Sequence, residues 1–427
     1  MNKLAINGGE KIRKEVVRDS LFPRRELANM KTVSADMLAL LDENKLSSFR
    51  GSYNENFYGG EWVRALEKQY ENYFPGGNIA ISVNSATSGL HIACHAIGLK
   101  PGDEVIVTPW SMSCSASAPL LCGATPVFAD IEMDYYCLDP TSVKKKITKR
   151  TKAIIVVDLF GQGYSEEIDN LAKEHNLYII EDAAQAIGSD TMVGKSGTRG
   201  DIGIFSFTQG KHISAGEGGM MLTKNKSLAK RCQLLRNHAE AVQGDMYQQG
   251  EEVPFPDLFG YNMRMTEMSA LVAAHETKHF FGGDGLRYII ERTNKLIHGI
   301  CKYVPIISPP KIRFENVYPG HSFYVLPFQY NNEHIHRDKF IEAVKAELAG
   351  EEGRPDKGVP INAGYIMPLY KNPLFANEER SPLPNVEKLQ YEKLFLTTLQ
   401  LLPLTDEDIN DIIGAFVKVY KNMGELV

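Results

Sequence analysis

Short apolar segments separated by polar, helix-length stretches characterise the chain between residues 79 and 207. The predicted strands are Ile79–Val83, Glu104–Pro109, Thr125–Asp130, Ala153–Val157, Tyr178–Glu181 and Ile202–Phe207. Amphipathic stretches long enough for helices, such as Thr87–Ile97 and Glu166–His175, lie between several of them. Residues 153–157 are apolar at every position, as in a strand that helices cover on both faces. The alternation predicts a mainly parallel, doubly wound α/β sheet.

The pattern changes after about residue 225, where helical periodicity dominates. The predicted elements are helical stretches at 226–242 and 266–304, a strand at Phe323–Gln329 and a helix at Asp406–Asn422. Thr405-Asp406-Glu407 is a typical start signal for that last helix. We therefore predict a large α/β domain with its N-terminal segment over residues 1–265, followed by a smaller α+β domain over residues 266–427.

Composition narrows the classes of partner. The 427 residues carry 47 Lys and Arg against 53 Asp and Glu, a net charge of −6. This balance argues against nucleic acid and anionic membranes as partners. No apolar run reaches the roughly 18 residues needed to cross a bilayer, and the first residues lack a secretory apolar region.

The cysteines are scattered and show no CxxC spacing. They are Cys94, Cys114, Cys122, Cys137, Cys232 and Cys301. Neither a zinc motif nor a disulfide framework is indicated, so we expect buried reduced thiols, no metal and a cytoplasmic location.

A carboxylate and an amine carry the strongest chemical signal. Asp182 follows a predicted strand, and Lys211 comes 29 residues later, shortly after another strand. Because the carboxyl ends of parallel strands meet at one edge of a sheet, the two side chains are expected to be neighbours. Alone, the aspartate could be a helix N-cap and the lysine a solvated charge. Together they suit pyridoxal 5′-phosphate (PLP), which needs a carboxylate at its ring nitrogen and a lysine that forms a Schiff base.

Ordered motifs along nearly the whole chain, from about residue 4 to about residue 420, support this interpretation. They include Ser85-Ala86-Thr87-Ser88-Gly89-Leu90-His91, Glu181-Asp182-Ala183-Ala184-Gln185, Gly216-Glu217-Gly218-Gly219, Arg236-Asn237-His238 and Gly260-Tyr261-Asn262-Met263-Arg264. In these motifs the chain resembles the sugar aminotransferases of the DegT/DnrJ/StrS family, which have the type I, aspartate aminotransferase-like PLP fold.

The resemblance implies roles for particular residues. Lys211 would anchor the cofactor and move the proton, and Asp182 would face its ring nitrogen. The other implied cofactor contacts are Ala86 and Thr87 at the phosphate, Ser206 as a hydroxyl donor to it, Gln185 at the ring hydroxyl, and Trp110 stacked on the ring. Trp110 has a core aromatic as its alternative reading. Asn262 would reach the phosphate from a neighbouring subunit, which implies a homodimer with shared active sites.

Three further positions are less constrained. A branch of this fold that dehydrates deoxysugars carries histidine in place of the lysine, but here His212 is displaced by one position from Lys211. This favours transamination. His321 and His238 resemble residues near the substrate, with ordinary buried or surface histidines as the alternative. Asp158 stands where histidine is frequent in the family, so it receives no role.

The implied reaction moves an amino group from an amino acid, L-glutamate in particular, to a keto-sugar with ping-pong kinetics. Leu4-Ala5-Ile6-Asn7-Gly8-Gly9 and the region from Gly364 to Pro373 resemble the branch acting on aminocyclitols and free sugars. One such acceptor is 8-oxo-3-deoxy-manno-octulosonate, of lipopolysaccharide biosynthesis, whose carboxylate Arg50 or Lys195 could meet. Aminocyclitol or nucleotide-linked acceptors, a PLP-dependent sugar dehydratase and a non-catalytic regulator are the alternatives.

Overall fold

Strands of the protein form two main sheets and a small hairpin. In a computed structural model, the described residues are 3–14, 30–52, 54–239, 258–349, 359–375 and 382–427. Their strands are β1 (Ile79–Val83), β2 (Glu104–Val107), β3 (Thr125–Phe128), β4 (Thr151–Val157), β5 (Tyr178–Asp182), β6 (Asp190–Thr191), β7 (Gly194–Lys195), β8 (Ile202–Ser206), β9 (Gly219–Thr223), β10 (Ile307–Ser308), β11 (Leu326–Tyr330), β12 (Ile361–Ala363) and β13 (Leu394–Thr397).

The larger sheet has the strand order β1-β9-β8-β5-β4-β2-β3. Strands β3, β2, β4, β5 and β8 pair in parallel, whereas β9 runs antiparallel to both of its neighbours. The mainly parallel α/β sheet predicted from the alternating pattern is therefore confirmed. Strand β9 was not predicted, although all five of its residues are buried. It returns directly from β8, so no crossover helix marks it in the sequence.

Helices cover the sheets. Their bounds are α1 (Met30–Asp42), α2 (Glu61–Tyr73), α3 (Ala86–Ala96), α4 (Cys114–Leu121), α5 (Pro140–Lys146), α6 (Glu166–His175), α7 (Lys226–Arg236), α8 (Glu267–Gly282), α9 (Gly285–Tyr303), α10 (Arg337–Glu347), α11 (Pro384–Lys388) and α12 (Asp406–Lys421). Helix α12 begins with a capping box between Thr405 and Asp408, which confirms the predicted start signal.

Two helical stretches differ from their predicted extents. Helix α7 ends at Arg236 rather than 242, because the backbone of His238 turns to φ +61°. Residues 240–242 of that prediction lie outside the described residues. The stretch predicted at 266–304 is divided into α8 and α9, and the chain leaves the helical conformation at Gly283.

The second sheet is antiparallel, with the order β10-β11-β13-β12. It shares a core with α9, α10 and α12, to which the N-terminal residue Leu4 also contributes. Helix α8 instead packs on α2, and its Phe280 belongs to the same buried cluster as Val63. The division of the chain at residue 265 remains a prediction. No helix in the described residues is long and apolar enough to span a bilayer.

Candidate active site

The carboxyl ends of several strands meet at one edge of the larger sheet. Strand β5 ends at Asp182, β8 ends at Ser206, and α3 begins shortly after the end of β1. A cavity of about 290 Å³ opens at this edge. Its lining residues are Ser85, Ala86, Thr87, Ser111, Met112, Ser113, Cys114, Ser117, Val157, Asp182, Ala184, Gln185, Ser206, Thr208, Lys211 and Glu217. The predicted carboxylate and the predicted amine thus share one cavity.

Asp182 is the buried acid of this cavity, with 5% of its surface exposed. Its Oδ1 accepts a hydrogen bond of 3.2 Å from the Ala184 N–H. Burial raises the pKa of Asp182, and the Ala184 N–H, the charge of Lys211 and the Ser115 hydroxyl oppose that rise. A desolvated carboxylate with few partners of its own is suited to a cationic ligand group.

Lys211 lies in the loop between β8 and β9. Gly210, at φ +92°, turns the chain in a conformation that favours glycine, and the Lys211 N–H then donates to the Thr208 carbonyl at 3.1 Å. The Lys211 Nζ lies 4.1 Å from the centroid of the Tyr324 ring. Within the part of the chain that the structure describes, no carboxylate forms an ion pair with Lys211. Its amine is therefore left for a ligand.

The N-terminus of α3 forms another wall of the cavity. Ser85 caps the helix by accepting from the Ser88 N–H at 3.1 Å, and Ala86 and Thr87 follow as its first residues. Helix N-termini present unpaired N–H groups and favour anions, phosphate in particular. A Cβ at Gly219 would come within 2.8 Å of the Ala86 nitrogen, so only glycine lets β9 approach this closely.

Gln185 also lines the cavity, but its amide is held by the protein. Its Oε1 accepts from the Phe160 N–H at 2.9 Å, and its Nε2 donates to the Tyr365 hydroxyl at 3.1 Å. One Nε2 hydrogen is left for the expected contact with a ring hydroxyl.

Trp110 is the residue that the family resemblance places on the face of the cofactor ring. It is fully buried and is not among the residues that line the cavity. Its indole N–H donates to the Ile366 carbonyl and to Gln390 Oε1, both at 3.0 Å. Trp110 thus packs among buried aromatic side chains, while residues 111–114 line the cavity, and the expected stacking on the ring stays a prediction.

The two candidate substrate histidines and Asn262 lie outside this cavity. His321 is buried, its Nδ1 accepts from the Phe323 N–H at 2.9 Å, and burial lowers its pKa to about 3. His238 and Asn262 are exposed. The described residues of one chain therefore bring together Ala86, Thr87, Asp182, Gln185, Ser206 and Lys211, but not these three.

Asp158, to which the sequence analysis gave no role, is fully buried beside Glu181. Its Oδ1 accepts from the Tyr164 N–H at 3.0 Å, and burial, followed by the charge of Glu181, raises its pKa well above the usual value. Glu181 in turn accepts from the N–H groups of residues 197, 199 and 200. This is a structural network beneath the site.

Several cavity residues were not predicted. Half of them follow β2, in the segment from Ser111 to Ser117, and others lie on either side of Lys211 at Thr208 and Glu217. Their position just beyond the carboxyl end of a parallel strand was the available signal. Their serine-rich composition was not distinctive enough to separate them from an ordinary loop.

Comparison with known proteins decides the class of this site. The family model of the DegT/DnrJ/EryC1/StrS aminotransferases matches residues 41–417. This chain belongs to that family. A GDP-perosamine synthase of Vibrio cholerae is 30% identical over 76% of this chain and 83% of its own length. A Micromonospora echinospora protein, whose name pairs L-glutamine with 3-amino-2,3-dideoxy-scyllo-inosose, is 28% identical over 99% of this chain and 98% of its own.

The fold agrees with that assignment. The crystal structure of DesI in the presence of its TDP-sugar product superposes with a TM-score of 0.77 at 26% identity, covering 99% of this chain and 97% of that one. The type I fold expected from the motifs is confirmed, and the protein is a PLP-dependent sugar aminotransferase. The residues present fit the cofactor: a helix N-terminus for its phosphate, a buried carboxylate for its ring nitrogen and a lysine in the same cavity for its aldehyde.

Proposed function

We propose that the protein transfers an amino group from an amino acid, with L-glutamate as the expected donor, to a keto-sugar, and that Lys211 and Asp182 carry the reaction. The presence of both side chains in one cavity at the carboxyl edge of the sheet supports this proposal most strongly. When bound, PLP supplies an electron sink conjugated to the substrate nitrogen.

Lys211 has the proton-transfer role. Its amine would anchor the cofactor between turnovers and, once displaced by the substrate, would take a proton from one carbon and return it to another. The aromatic face of Tyr324 orients the amine without forming an ion pair with it.

Asp182 has the electrostatic role. Its carboxylate would hold the ring nitrogen of the cofactor in the protonated form, which would favour negative charge entering the ring. Burial removes water from the Asp182 carboxylate and thereby raises its pKa. A cationic partner would compensate for this lost solvation. The cationic ring nitrogen would therefore be held by a strong hydrogen bond.

Ala86, Thr87 and Ser206 would hold the phosphate, through backbone N–H groups and a hydroxyl. Asn262 is exposed and lies outside the cavity of its own chain, which agrees with a contact made across a homodimer. We therefore propose a homodimer with shared active sites.

The acceptor is the less constrained part of the proposal. The cavity wall is rich in hydroxyl groups, from Ser111, Ser113 and Ser117, which suit the hydroxyls of a neutral sugar or cyclitol. Among the described lining residues, Lys211 is the single cation. Neither Arg50 nor Lys195 lines the cavity, and Lys195 pairs with Asp190 at 2.7 Å.

These features favour a free, neutral keto-sugar or keto-cyclitol. 8-Oxo-3-deoxy-manno-octulosonate, with lipopolysaccharide biosynthesis as its pathway, stays a candidate that needs a cation from elsewhere for its carboxylate. Nucleotide-linked acceptors need the same for their phosphates, and the names of two relatives above point to that class. A cytoplasmic location is proposed from the free cysteines.

Dehydration is the competing chemistry. His212 is buried, and its Nε2 lies 2.9 Å from the Ser322 carbonyl, whereas Lys211 reaches the cavity. This arrangement favours amination over the histidine-dependent reaction.

The test is a panel of free, acidic and nucleotide-linked keto-sugars and keto-cyclitols, each with L-glutamate or L-glutamine, followed by mass spectrometry of the product. An amino sugar formed with one equivalent of donor consumed is expected. A product that has lost water without consuming donor would instead establish a lyase. Ser113→Ala is expected to raise KM for the acceptor and leave KM for the donor unchanged.

A further inference from the structure

A cluster of nitrogen and sulfur ligands lies outside the cofactor cavity. His91 and His95 are four residues apart on α3, so their side chains share one face of the helix. Cys122 directly follows α4, which packs on α3. One ligand atom from each of the three residues lies within 4.8 Å of the others. None of the three lines the cavity.

His91 carries a buried ring nitrogen that no described residue satisfies. It is 9% exposed, and its Nε2 has no hydrogen-bond partner among the described residues. A buried polar atom without a partner destabilises the folded state. A bound cation would satisfy it.

His95 is already oriented by a second residue. The hydroxyl of Tyr261 lies 2.8 Å from His95 Nε2. Histidines that bind metals commonly have their other ring nitrogen held by a hydrogen bond, which fixes the orientation of the ring. The rings of His91 and Tyr261 also pack together, with centroids 4.9 Å apart.

We propose that His91, His95 and Cys122 bind one Zn²⁺ ion per chain. Zinc takes imidazole nitrogen and cysteine sulfur in tetrahedral sites, where ligand atoms lie roughly 3.3–3.6 Å apart for ordinary bond lengths. The three atoms now lie within 4.8 Å of one another. Side-chain rotations that shift them by about 1 Å would bring them to the tetrahedral spacing. A hard cation such as Mg²⁺ is disfavoured because two nitrogens and a sulfur are poor ligands for it.

The proposed ion would join three segments of the chain. Cys122 brings the end of α4, His91 and His95 bring α3, and Tyr261 brings the strand-like segment before α8. Since α3 begins at the cofactor cavity, the ion would stabilise the helix that presents Ala86 and Thr87. Three protein ligands leave the fourth position to water.

This proposal departs from the expectation of no metal. That expectation rested on the absence of paired cysteines at zinc spacing, and Cys122 comes next to the two histidines only through folding.

The first experiment is zinc titration of the tag-free, full-length holoenzyme after chelation and dialysis, in competition with a chromophoric chelator. One equivalent per chain is expected to bind. Cys122→Ser and His91→Gln should weaken binding by more than about 100-fold, beyond the usual cost of losing a second-layer contact. Cys301→Ser and His275→Gln, outside the cluster, should bind as the wild type does.

Cobalt substitution provides a readout that does not depend on a variant folding. Co²⁺ in the wild type should show the ligand-field absorption of a tetrahedral site with one thiolate, at wavelengths longer than those of the cofactor. Tyr261→Phe should weaken zinc binding by about 10- to 100-fold. Absence of stoichiometric uptake by the wild type, or unchanged affinity in a folded Cys122→Ser variant, would refute the site.

Discussion

The amine of Lys211 lies over the ring of Tyr324, 4.1 Å from its centroid. Tyr324 comes from the segment that leads into β11, far along the chain from the loop that carries the lysine. The amine proposed to be catalytic is thus in contact with a residue from the part of the chain that builds the second sheet. A contact between a cation and an aromatic face contributes about 0.5–2 kcal/mol.

Replacing Tyr324 should therefore affect turnover more than cofactor content. We expect Tyr324→Leu to lower kcat/KM by about 3- to 30-fold, which corresponds to the loss of that contact. Tyr324→Phe keeps the aromatic face and should retain nearly full activity. Steady-state kinetics on both variants, with cofactor content measured spectroscopically, would check this. Equal losses in the two variants would mean that the hydroxyl, and not the ring, matters.

Lys211→Ala should lower the rate of amino transfer by about 100- to 10,000-fold, the usual contribution of a positioned acid–base group. It should also remove the absorbance band of the lysine-anchored cofactor. Lys195→Ala is a matched control, because Lys195 is paired with Asp190 and does not line the cavity. Full activity in a pure Lys211→Ala preparation would contradict the assigned role.

Asp182→Asn should fold, since the amide is similar in size and burial already disfavours the charged form. It should nevertheless lose at least about 100-fold in kcat, because a neutral amide cannot keep the ring nitrogen protonated. Glu217→Gln removes the other acid that lines the cavity and should change kcat little. Single-turnover rates of the two variants would be compared with that of the wild type. Wild-type rates in Asp182→Asn would exclude its role at the ring nitrogen.

Trp110→Phe tests whether that residue stacks on the cofactor or only packs in the core. The change removes the indole N–H from the Ile366 carbonyl and from Gln390 Oε1, which keeps only the Tyr365 N–H, so the free energy of unfolding should fall by about 1–3 kcal/mol. If the indole stays outside the cofactor cavity, the affinity for PLP should be nearly unchanged. Denaturant titration and PLP titration measure the two quantities. A large loss of PLP affinity with unchanged stability would support the stacking role.

His321 should make the protein less stable in acid. Burial lowers its pKa to about 3, below the value of about 6.5 for an unfolded chain. The folded state therefore binds this proton less well, and stability present above pH 6.5 is lost as the pH falls towards 3, by up to about 1.4 kcal/mol per pH unit. Thermal melts between pH 7.5 and 5 should show a smaller loss for His321→Gln than for the wild type. Parallel curves would contradict this.

Local sequence determined much of the molecule. The apolar segments predicted the strands β1–β5 and β8 to within two residues at each end, because each is short, buried and bounded by polar residues. The side chains at the carboxyl ends of β5 and β8 then had to meet at one edge of a parallel sheet. For this reason the sequence alone predicted that Asp182 and Lys211 share one site, and the family resemblance added Ser206 to it.

Other features depended on contacts between residues far apart in the sequence, which the local sequence pattern does not reveal. Strand β9 takes its direction and its place between β1 and β8 from pairing partners far along the chain. The indole N–H of Trp110 donates to acceptors more than 250 positions later in the chain. Likewise, Cys122 reached His91 and His95 only because α4 packs on α3. Such arrangements depend on burial and pairing between residues that meet only when the chain folds. Only the tertiary structure could therefore decide them.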